Sequence, residues 1–411
     1  MKILLVNTYD QQGGAARATM RLFNGLKEKG EEMRMLVQNK DSSDPGIIQP
    51  GGCLARSFNF IRPYIDFTIP LPQVRKRILF STSLLPGRVI QTIERINPDI
   101  VHLNWIAGGM IRIEALKRIR QPIVWTLHDL WAFTGGCHYP PAECNRYLLN
   151  CGCCPVLHSR RENDLSRSVF NRKQKVYDQI KKLYIVTPSR WLAGCVKASR
   201  LLGDRPVDVI PNGLDTAIFK PGDQTAARKC FNLPSDKKII LFGGIRCTLD
   251  EQKGFHLLLE SLKRINVPDP ELVVFGSSGS KAAADLPFRT RFLGYIPEEE
   301  KLAALYTASD VVVVPSYREV FGQTASEALS CGIPVAAFET TGLTDIVDHL
   351  ENGYLARPFE PEDLANGIKW ILEDKERYRQ LSDKARTKVL SVFDIRVVAQ
   401  SVTGLYSRIL R

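Results

Sequence analysis

Short, nearly all-apolar runs alternate along this chain with segments in which apolar residues recur every three or four positions. KILLVN (2–7), MRMLVQ (33–38), DIVHL (99–103), PIVWTL (122–127), LYIVTP (183–188) and VDVIP (207–211) mark strands in the first half. KIILFG (238–243), LVVFG (272–276), RFL (291–293), VVVVP (311–315) and PVAAF (334–338) mark them in the second. Helical period fills the intervals, for example over 16–29, 255–265, 298–307 and 361–373, and closes the chain over 396–410 through Val397, Val398, Val402, Leu405 and Ile409. Runs without polar alternation are buried on both faces, so the pattern predicts parallel sheets with helices on each side. The proline-glycine pair in TAIFKPGDQ (216–224) marks a joint. The expected fold class is α/β, with two Rossmann-like doubly wound domains facing each other across a cleft. The expected divisions are 1–216, 217–392 and a closing helix at 393–411 that crosses back to the first domain.

A length of 411 residues, 44% hydrophobic and 24% charged, fits two globular domains. No run reaches the ~18 apolar residues that a membrane span needs. The opening MKILLVN leads directly to polar Asn7 and Asp10, so it reads as a strand and not as a leader, and a cytoplasmic setting follows as the expectation. The net charge of +12 is uneven: residues 1–220 hold 32 Lys+Arg against 18 Asp+Glu, and residues 221–411 hold 24 against 26. The basic half suits an anionic partner. Basic residues without aromatic interleaving or a reader motif argue against nucleic acid.

Open parallel sheets bind ligands outside the carboxyl ends of their strands, beside helix N-termini. Gly13-Gly14 sit in the first such turn, where they either admit a ligand to the backbone or merely make a tight bend. A denser signal is PSYREVFGQTASEALSCGIPVAAFETTG (315–342). Glu319 follows a strand, Glu327 falls eight residues later on the next helix, and Phe321-Gly322-Gln323-Thr324 make the turn between them. Orphan amides at such a helix start suit a diphosphate and sugar hydroxyls, with a carboxylate on either side.

Glu319-x7-Glu327, with ALSCGIPVAA and GLTDIVDHLENGYL (342–354) after it, resembles the retaining GT-B glycosyltransferases of family 4. VTPSRWLA (186–193), VIPNGLDTAIFKP (209–221), KGFHLLLESL (253–262) and FLGYIPEEEKLAALYTASDVVVVPS (292–316) fall in the same order as in that family. The resemblance implies a hexosyltransferase that takes a hexose or N-acetylhexosamine from a nucleotide-diphosphate sugar. Its acceptor would be a glycan or lipid-linked glycan in surface-polysaccharide synthesis. Glu319 would contact donor-sugar hydroxyls and Glu327 the ribose. Amides near Phe321, Gly322 and Gln323 would hold the sugar, with Thr324 near the phosphates. Lys253 would neutralise the leaving diphosphate, and Gly294, Tyr295 and Ile296 would face the base. Gly14 would approach the donor from the first domain, and His128 in WTLHDLW (125–131) would serve the reacting centre. Family members pair the lysine with an arginine six residues upstream, but position 247 is Cys247, and Arg246 stands one place off. Catalysis would need no cofactor. Competing activities on the same fold are an epimerase, a phosphorylase, or a non-catalytic sugar-binding protein.

Three further features bear on the acceptor side. His102 occupies the strand next to that of His128, and Asp129 could orient His128 or cap the segment after it. The basic stretches 159–182, with Val169, Phe170, Val176, Tyr177 and Ile180 on one helical face, and 58–80 could rest on an anionic membrane surface at its inner face. An ordinary helix packed on its own core accounts for the same pattern. GGCHYPPAECNRYLLNCGCCP (135–155) holds five of the ten cysteines. Cys137, Cys144, Cys151 and Cys154 could supply four thiolates to a structural zinc ion, pair as disulfides, or remain free. No oriented base stands nearby to make one of them a nucleophile.

Overall fold

A computed structural model of the chain describes residues 1–51, 53–68 and 79–411. The membrane-facing expectation over 58–80 therefore lies partly outside the described residues. The chain divides into two compact units, Met1–Ile210 with Ala399–Arg411, and Pro211–Val398, so the division falls at 210/211 rather than 216/217.

The first unit is built on a seven-stranded parallel sheet in the order β3-β2-β1-β4-β5-β6-β7. Its strands are β1 (Lys2–Tyr9), β2 (Glu32–Asn39), β3 (Ile47–Ile48), β4 (Ile100–Leu103), β5 (Ile123–Thr126), β6 (Leu183–Thr187) and β7 (Val207–Val209). Helices α1 (Gly14–Glu28), α2 (Cys53–Thr68), α3 (Val89–Ile96), α4 (Leu165–Tyr177) and α5 (Arg190–Ala198) join them. Ile3, Leu4, Leu5 and Val6 are all fully buried, as a strand covered on both faces requires. Beyond the sequence-predicted strands stands β3, whose two residues are too few to carry a period.

The second unit has six parallel strands in the order β10-β9-β8-β11-β12-β13. They are β8 (Ile239–Gly243), β9 (Glu271–Phe275), β10 (Thr290–Phe292), β11 (Val311–Val314), β12 (Val335–Phe338) and β13 (Gly353–Ala356). The helices are α6 (Gln224–Cys230), α7 (Phe255–Lys263), α8 (Glu299–Ala308), α9 (Gln323–Ser330), α10 (Pro361–Glu373) and α11 (Lys375–Lys388). Period two sorts the buried side chains onto two cores: Ile239, Leu241, Val312 and Val314 lie on one face, and Ile240, Phe242, Val311 and Val313 on the other. The strand order reverses between β8 and β11, and the same reversal in the first unit falls between β1 and β4. These are the places where doubly wound sheets hold ligands.

The closing helix α12 (Ile395–Leu410) gives residues 399–411 to the first unit. Buried Tyr406 is its anchor there, with its hydroxyl 2.5 Å from His102 Nδ1. Among the described residues no helix is long and apolar enough to cross a membrane.

Candidate functional site

In the second unit the loop after β8 and the loop after β11 meet. Gly254 makes this possible: its φ is +67°, and a Cβ added there would lie 1.9 Å from the Pro315 carbonyl oxygen. Lys253, the preceding residue, donates from Nζ to Glu319 Oε1 at 2.7 Å, and Ser316 Oγ donates to the same oxygen at 2.9 Å. Burial pulls the Lys253 ammonium down, but the Glu319 carboxylate outweighs it and holds the pKa above its ordinary value. The Glu319 backbone is pinned on both sides, its N–H by Thr341 Oγ1 at 2.9 Å and its carbonyl by the Gly342 N–H at 2.9 Å.

Three residues further on, Gly322 is the N-cap of α9 at φ 103°, and no side chain caps the helix. Its amide end is therefore set beside the Lys253–Glu319 pair and favours negative charge. Phe321 is buried and packs edge-on to Phe393 at 5.5 Å, which fixes the turn from behind. Glu327 is buried on α9 and accepts from the Tyr306 hydroxyl at 2.9 Å, and the Thr324 side chain is directed to the same hydroxyl. Gly294 turns at φ 68°, and its carbonyl accepts from the Gly276 N–H at 2.6 Å. Tyr295 is exposed there and Ile296 is buried beneath it. Around 246 the structure explains the displaced arginine. Arg246 stands exposed at φ 55°, whereas Cys247 turns inward and donates from Sγ to the Phe275 carbonyl at 3.3 Å. Position 247 is taken up by the core, and the arginine next to it is solvent-exposed.

In the first unit Gly13, at φ 92°, precedes α1, which Gly14 opens without a side-chain cap. His128 follows β5 and is half-buried, with Nε2 3.0 Å from Asn104 Oδ1. Since Asn104 Nδ2 points to the His102 carbonyl, Oδ1 faces His128 and Nε2 carries the proton. Burial holds the His128 pKa down at about 4, so the ring is neutral near pH 7. Asp129 does not orient it. One Asp129 oxygen accepts from the Trp131 N–H at 2.8 Å, capping the next turn. The other accepts from Trp105 Nε1 at 2.7 Å and His138 Nδ1 at 2.6 Å, and His138 Nε2 in turn lies 2.9 Å from Ser81 Oγ. Asn104, Trp105, His138 and Ser81 were not singled out from the sequence. The only signal was that HLNW and TLHDLW end adjacent strands.

Two expectations are corrected. His102 does not face an acceptor: it is wholly buried, with Nε2 2.7 Å from Thr126 Oγ1 and Nδ1 on Tyr406, and burial lowers its pKa to about 3. The apolar face of 159–182 is not offered to a membrane, because Val169, Phe170, Val176, Tyr177 and Ile180 are all buried in the unit's own core. Among the described residues no group of three or more His, Cys, Asp or Glu is placed to hold an ion, and Cys137 lies close enough to Cys154, Cys151 and Cys144 to feel their charge. Cys137, Cys144, Cys151 and Cys154 are free thiols. Cys137 and Cys154 pack with Phe80, Val156 and Leu157, and burial raises the thiol pKa values, that of Cys151 to about 12. Beside them buried Lys173 donates to the Trp131 and Thr134 carbonyls from above the Trp131 ring. The segment braces the loop that follows His128.

Two family models match the chain, Glycosyltransferase Family 4 over residues 12–218 and Glycosyl transferases group 1 over residues 223–388. The chain belongs to the group 1, family 4 glycosyltransferases. It is 30% identical over 292 residues to a D-inositol 3-phosphate glycosyltransferase of Mycobacteroides abscessus, a match that takes in 67% of this chain and 59% of that protein. The chain thus spans about six tenths of that relative's length. Among solved structures, the sucrose-phosphate synthase of Thermosynechococcus elongatus superposes with a TM-score of 0.70 at 22% identity, covering 99% of this chain and 98% of the other. Anabaena Alr3699/HepE in complex with UDP-glucose gives 0.66 at 20%, covering 99% and 100%. The fold is the two-domain GT-B fold.

Proposed function

We propose that the protein is a retaining glycosyltransferase that moves a hexose or N-acetylhexosamine from a nucleotide-diphosphate sugar to a hydroxyl of a glycan or lipid-linked glycan. The observation that carries this reading is the Lys253–Glu319 pair set against the uncapped start of α9. A cation and a helix N-terminus suit a diphosphate, and a fixed carboxylate beside them suits sugar hydroxyls. The complex of Anabaena Alr3699/HepE with UDP-glucose supports uridine diphosphate as the nucleotide part.

In the reaction the bond between the anomeric carbon and the diphosphate oxygen breaks, and its electron pair leaves with the nucleotide diphosphate. The acceptor hydroxyl forms the new bond on the same face, and its proton passes to the departing phosphate oxygen. Lys253, Arg246 and the α9 amides around Gly322, Gln323 and Thr324 stabilise the developing phosphate charge. Glu319 holds the sugar hydroxyls, Glu327 the ribose, and Gly294–Ile296 the base. Neutral His128, with its Nε2 proton donated to Asn104, accepts at Nδ1 from a sugar hydroxyl. No step requires a metal ion. A peripheral membrane setting finds support on α2, where Phe58, Phe60, Ile61 and Tyr64 are exposed.

The test is to incubate the full chain with UDP-glucose, with and without glycan acceptors. The expected result is slow release of UDP with the α-configuration kept in the product, read by proton NMR. UDP binding with no donor turnover under any acceptor would favour a non-catalytic sugar-binding protein, and glucose 1-phosphate formation would favour a phosphorylase.

A further inference from the structure

The first unit contains a second pocket, separate from the His128 loop. It has a volume of about 260 Å³ and is walled by Val37 and Gln38 at the end of β2, Phe58, Asn59 and Arg62 of α2, and the turn from Pro86 into α3. That volume is just under the ~300–1,000 Å³ of typical small-molecule sites, so it suits one sugar-sized group and not a nucleotide-sugar.

Its chemistry is cationic. Arg62 is only 5% exposed, yet among the described residues no carboxylate lies in ion-pair range of it. Nε donates to Gln38 Oε1 at 3.2 Å and to the Gly109 carbonyl at 2.9 Å, and Nη2 reaches the Gly109 and Leu85 carbonyls. These acceptors are all neutral, the Phe58 ring centroid lies 5.6 Å from the guanidinium carbon, and Nη1 has no hydrogen-bond partner among the described residues. Burial alone pulls its pKa down, against a weak pull up from Asp66. Asp66 is itself committed, to the Thr82 hydroxyl and the amides of Ser83 and Gly109.

Three features add to this. Arg88 is exposed at the rim, and its side chain has no partner among the described residues. It also stands at the N-cap of α3, whose amide end carries no side-chain cap. Gly87 brings that turn close enough that an added Cβ would sit 3.3 Å from Arg62 Nη2. Buried unpaired cations are costly unless an anion completes them. Two guanidiniums and a helix start converging on one small pocket match a tetrahedral oxyanion.

We infer that this pocket binds a phosphate group carried by the acceptor. The inference rests on the glycosyltransferase reading for the word acceptor, and on the pocket alone for the phosphate. Gln38 ends β2 and His128 follows β5, three strands further along the same sheet edge in the order β2-β1-β4-β5. At ~4.8 Å between neighbouring strands, the strand end that lines the pocket lies roughly 14 Å along the sheet edge from the strand end that carries His128. The phosphate can belong to a soluble sugar phosphate or to a lipid headgroup.

The experiment uses the full chain at constant ionic strength. Inorganic phosphate, glucose 6-phosphate and glucose are titrated by thermal shift and calorimetry, and vesicles of phosphatidylglycerol and phosphatidylcholine by flotation. Arg88→Gln removes an exposed cation with no internal partner, so the ligand-free melting temperature should stay put. Arg95→Gln, an exposed arginine in the last turn of α3, controls for net charge. We expect glucose 6-phosphate to bind, glucose not to, and Arg88→Gln to weaken the phosphate ester at least fivefold while Arg95→Gln changes it less than twofold. Glucose 6-phosphate binding assigns the soluble source, and Arg88-dependent flotation without it assigns the lipid source. Equal loss in both variants, or no Arg88-dependent binding of any phosphate probe, overturns the inference. UDP affinity, measured on the same samples, should not move in either variant. A wild type that binds glucose 6-phosphate but not UDP would sink the proposed function and leave the pocket standing.

Discussion

Lys253 and Glu319 hold each other in the free protein, and this makes their substitutions act in opposite directions on nucleotide binding. At 2.7 Å the gross Coulomb attraction is about 6 kcal/mol for an effective dielectric near 20. Desolvation of the two groups, whose side chains are 29% and 17% exposed, removes most of it. A net worth of ~1–2 kcal/mol places the pair between a surface bridge and a buried one. On the proposed function, UDP would take Lys253 away from Glu319, gaining a charge-assisted bond of ~1.5–3 kcal/mol and giving up the internal one. Lys253→Met should therefore weaken UDP only about five- to tenfold. Glu319→Gln releases the lysine in advance and should tighten UDP about two- to fivefold, while donor turnover falls by roughly a hundredfold because the sugar hydroxyls lose their carboxylate. Calorimetric titration with UDP, next to UDP-glucose turnover, reads both signs. A Glu319→Gln protein that binds UDP as weakly as Lys253→Met would refute the competition and make the pair a purely structural brace.

Other consequences follow from particular contacts. His128→Ala should lower turnover by about a hundredfold or more and leave UDP affinity within about twofold. Because the His128 pKa is lowered to about 4, the rate profile of the native enzyme between pH 5 and 8 should show no inflection that His128→Ala abolishes. Tyr406→Phe strips His102 Nδ1 of its partner and should cost ~1–3 kcal/mol, read as a fall of several degrees in the melting temperature. His102 titrates near 3 folded and near 6.5 unfolded. Its contribution is therefore intact above pH 6.5 and is lost progressively as the pH falls toward 3, by up to ~1.4 kcal/mol per unit. His102→Gln should flatten that part of the stability curve in denaturant titrations. Cys151, with its thiol raised to about 12, should react with a disulfide reagent at pH 8 at least a hundredfold more slowly than exposed Cys230, as mass spectrometry of the labelled peptides would show.

The strands were legible in the sequence because a strand covered on both faces must be apolar throughout, and all eleven runs became strands. The two that were missed fail for definite reasons. Ile47–Ile48 is too short to have a period, and Gly353–Ala356 follows Asn352 in a stretch whose glycine reads as a turn. The candidate donor-side residues stand as a linear string because one loop and one helix carry Glu319 through Glu327. The ion pair to Lys253 was not, since 66 positions separate the partners and only Gly254 at its close approach to Pro315 brings them together.

The first unit shows the opposite case. Residue type alone gave His102 and His128 the same standing, two histidines at the ends of adjacent strands, and burial separates them. The ring of His102 is engaged from both sides by Thr126 and Tyr406, whereas among the described residues His128 has the one ring hydrogen bond, to Asn104, and is partly exposed. Cysteine spacing told how closely the thiols are strung and not that Cys137 and Cys154 are packed against Phe80, Val156 and Leu157. Arg62 was invisible for the converse reason. One arginine among 56 basic residues carries no message until the fold buries it without a carboxylate, and that missing counter-charge then makes it a candidate for binding. In the first unit, then, His128 and Arg62 stand out because the fold leaves part of their hydrogen bonding or charge unfinished, whereas in the second unit the candidate residues Lys253 and Glu319 are already paired with each other.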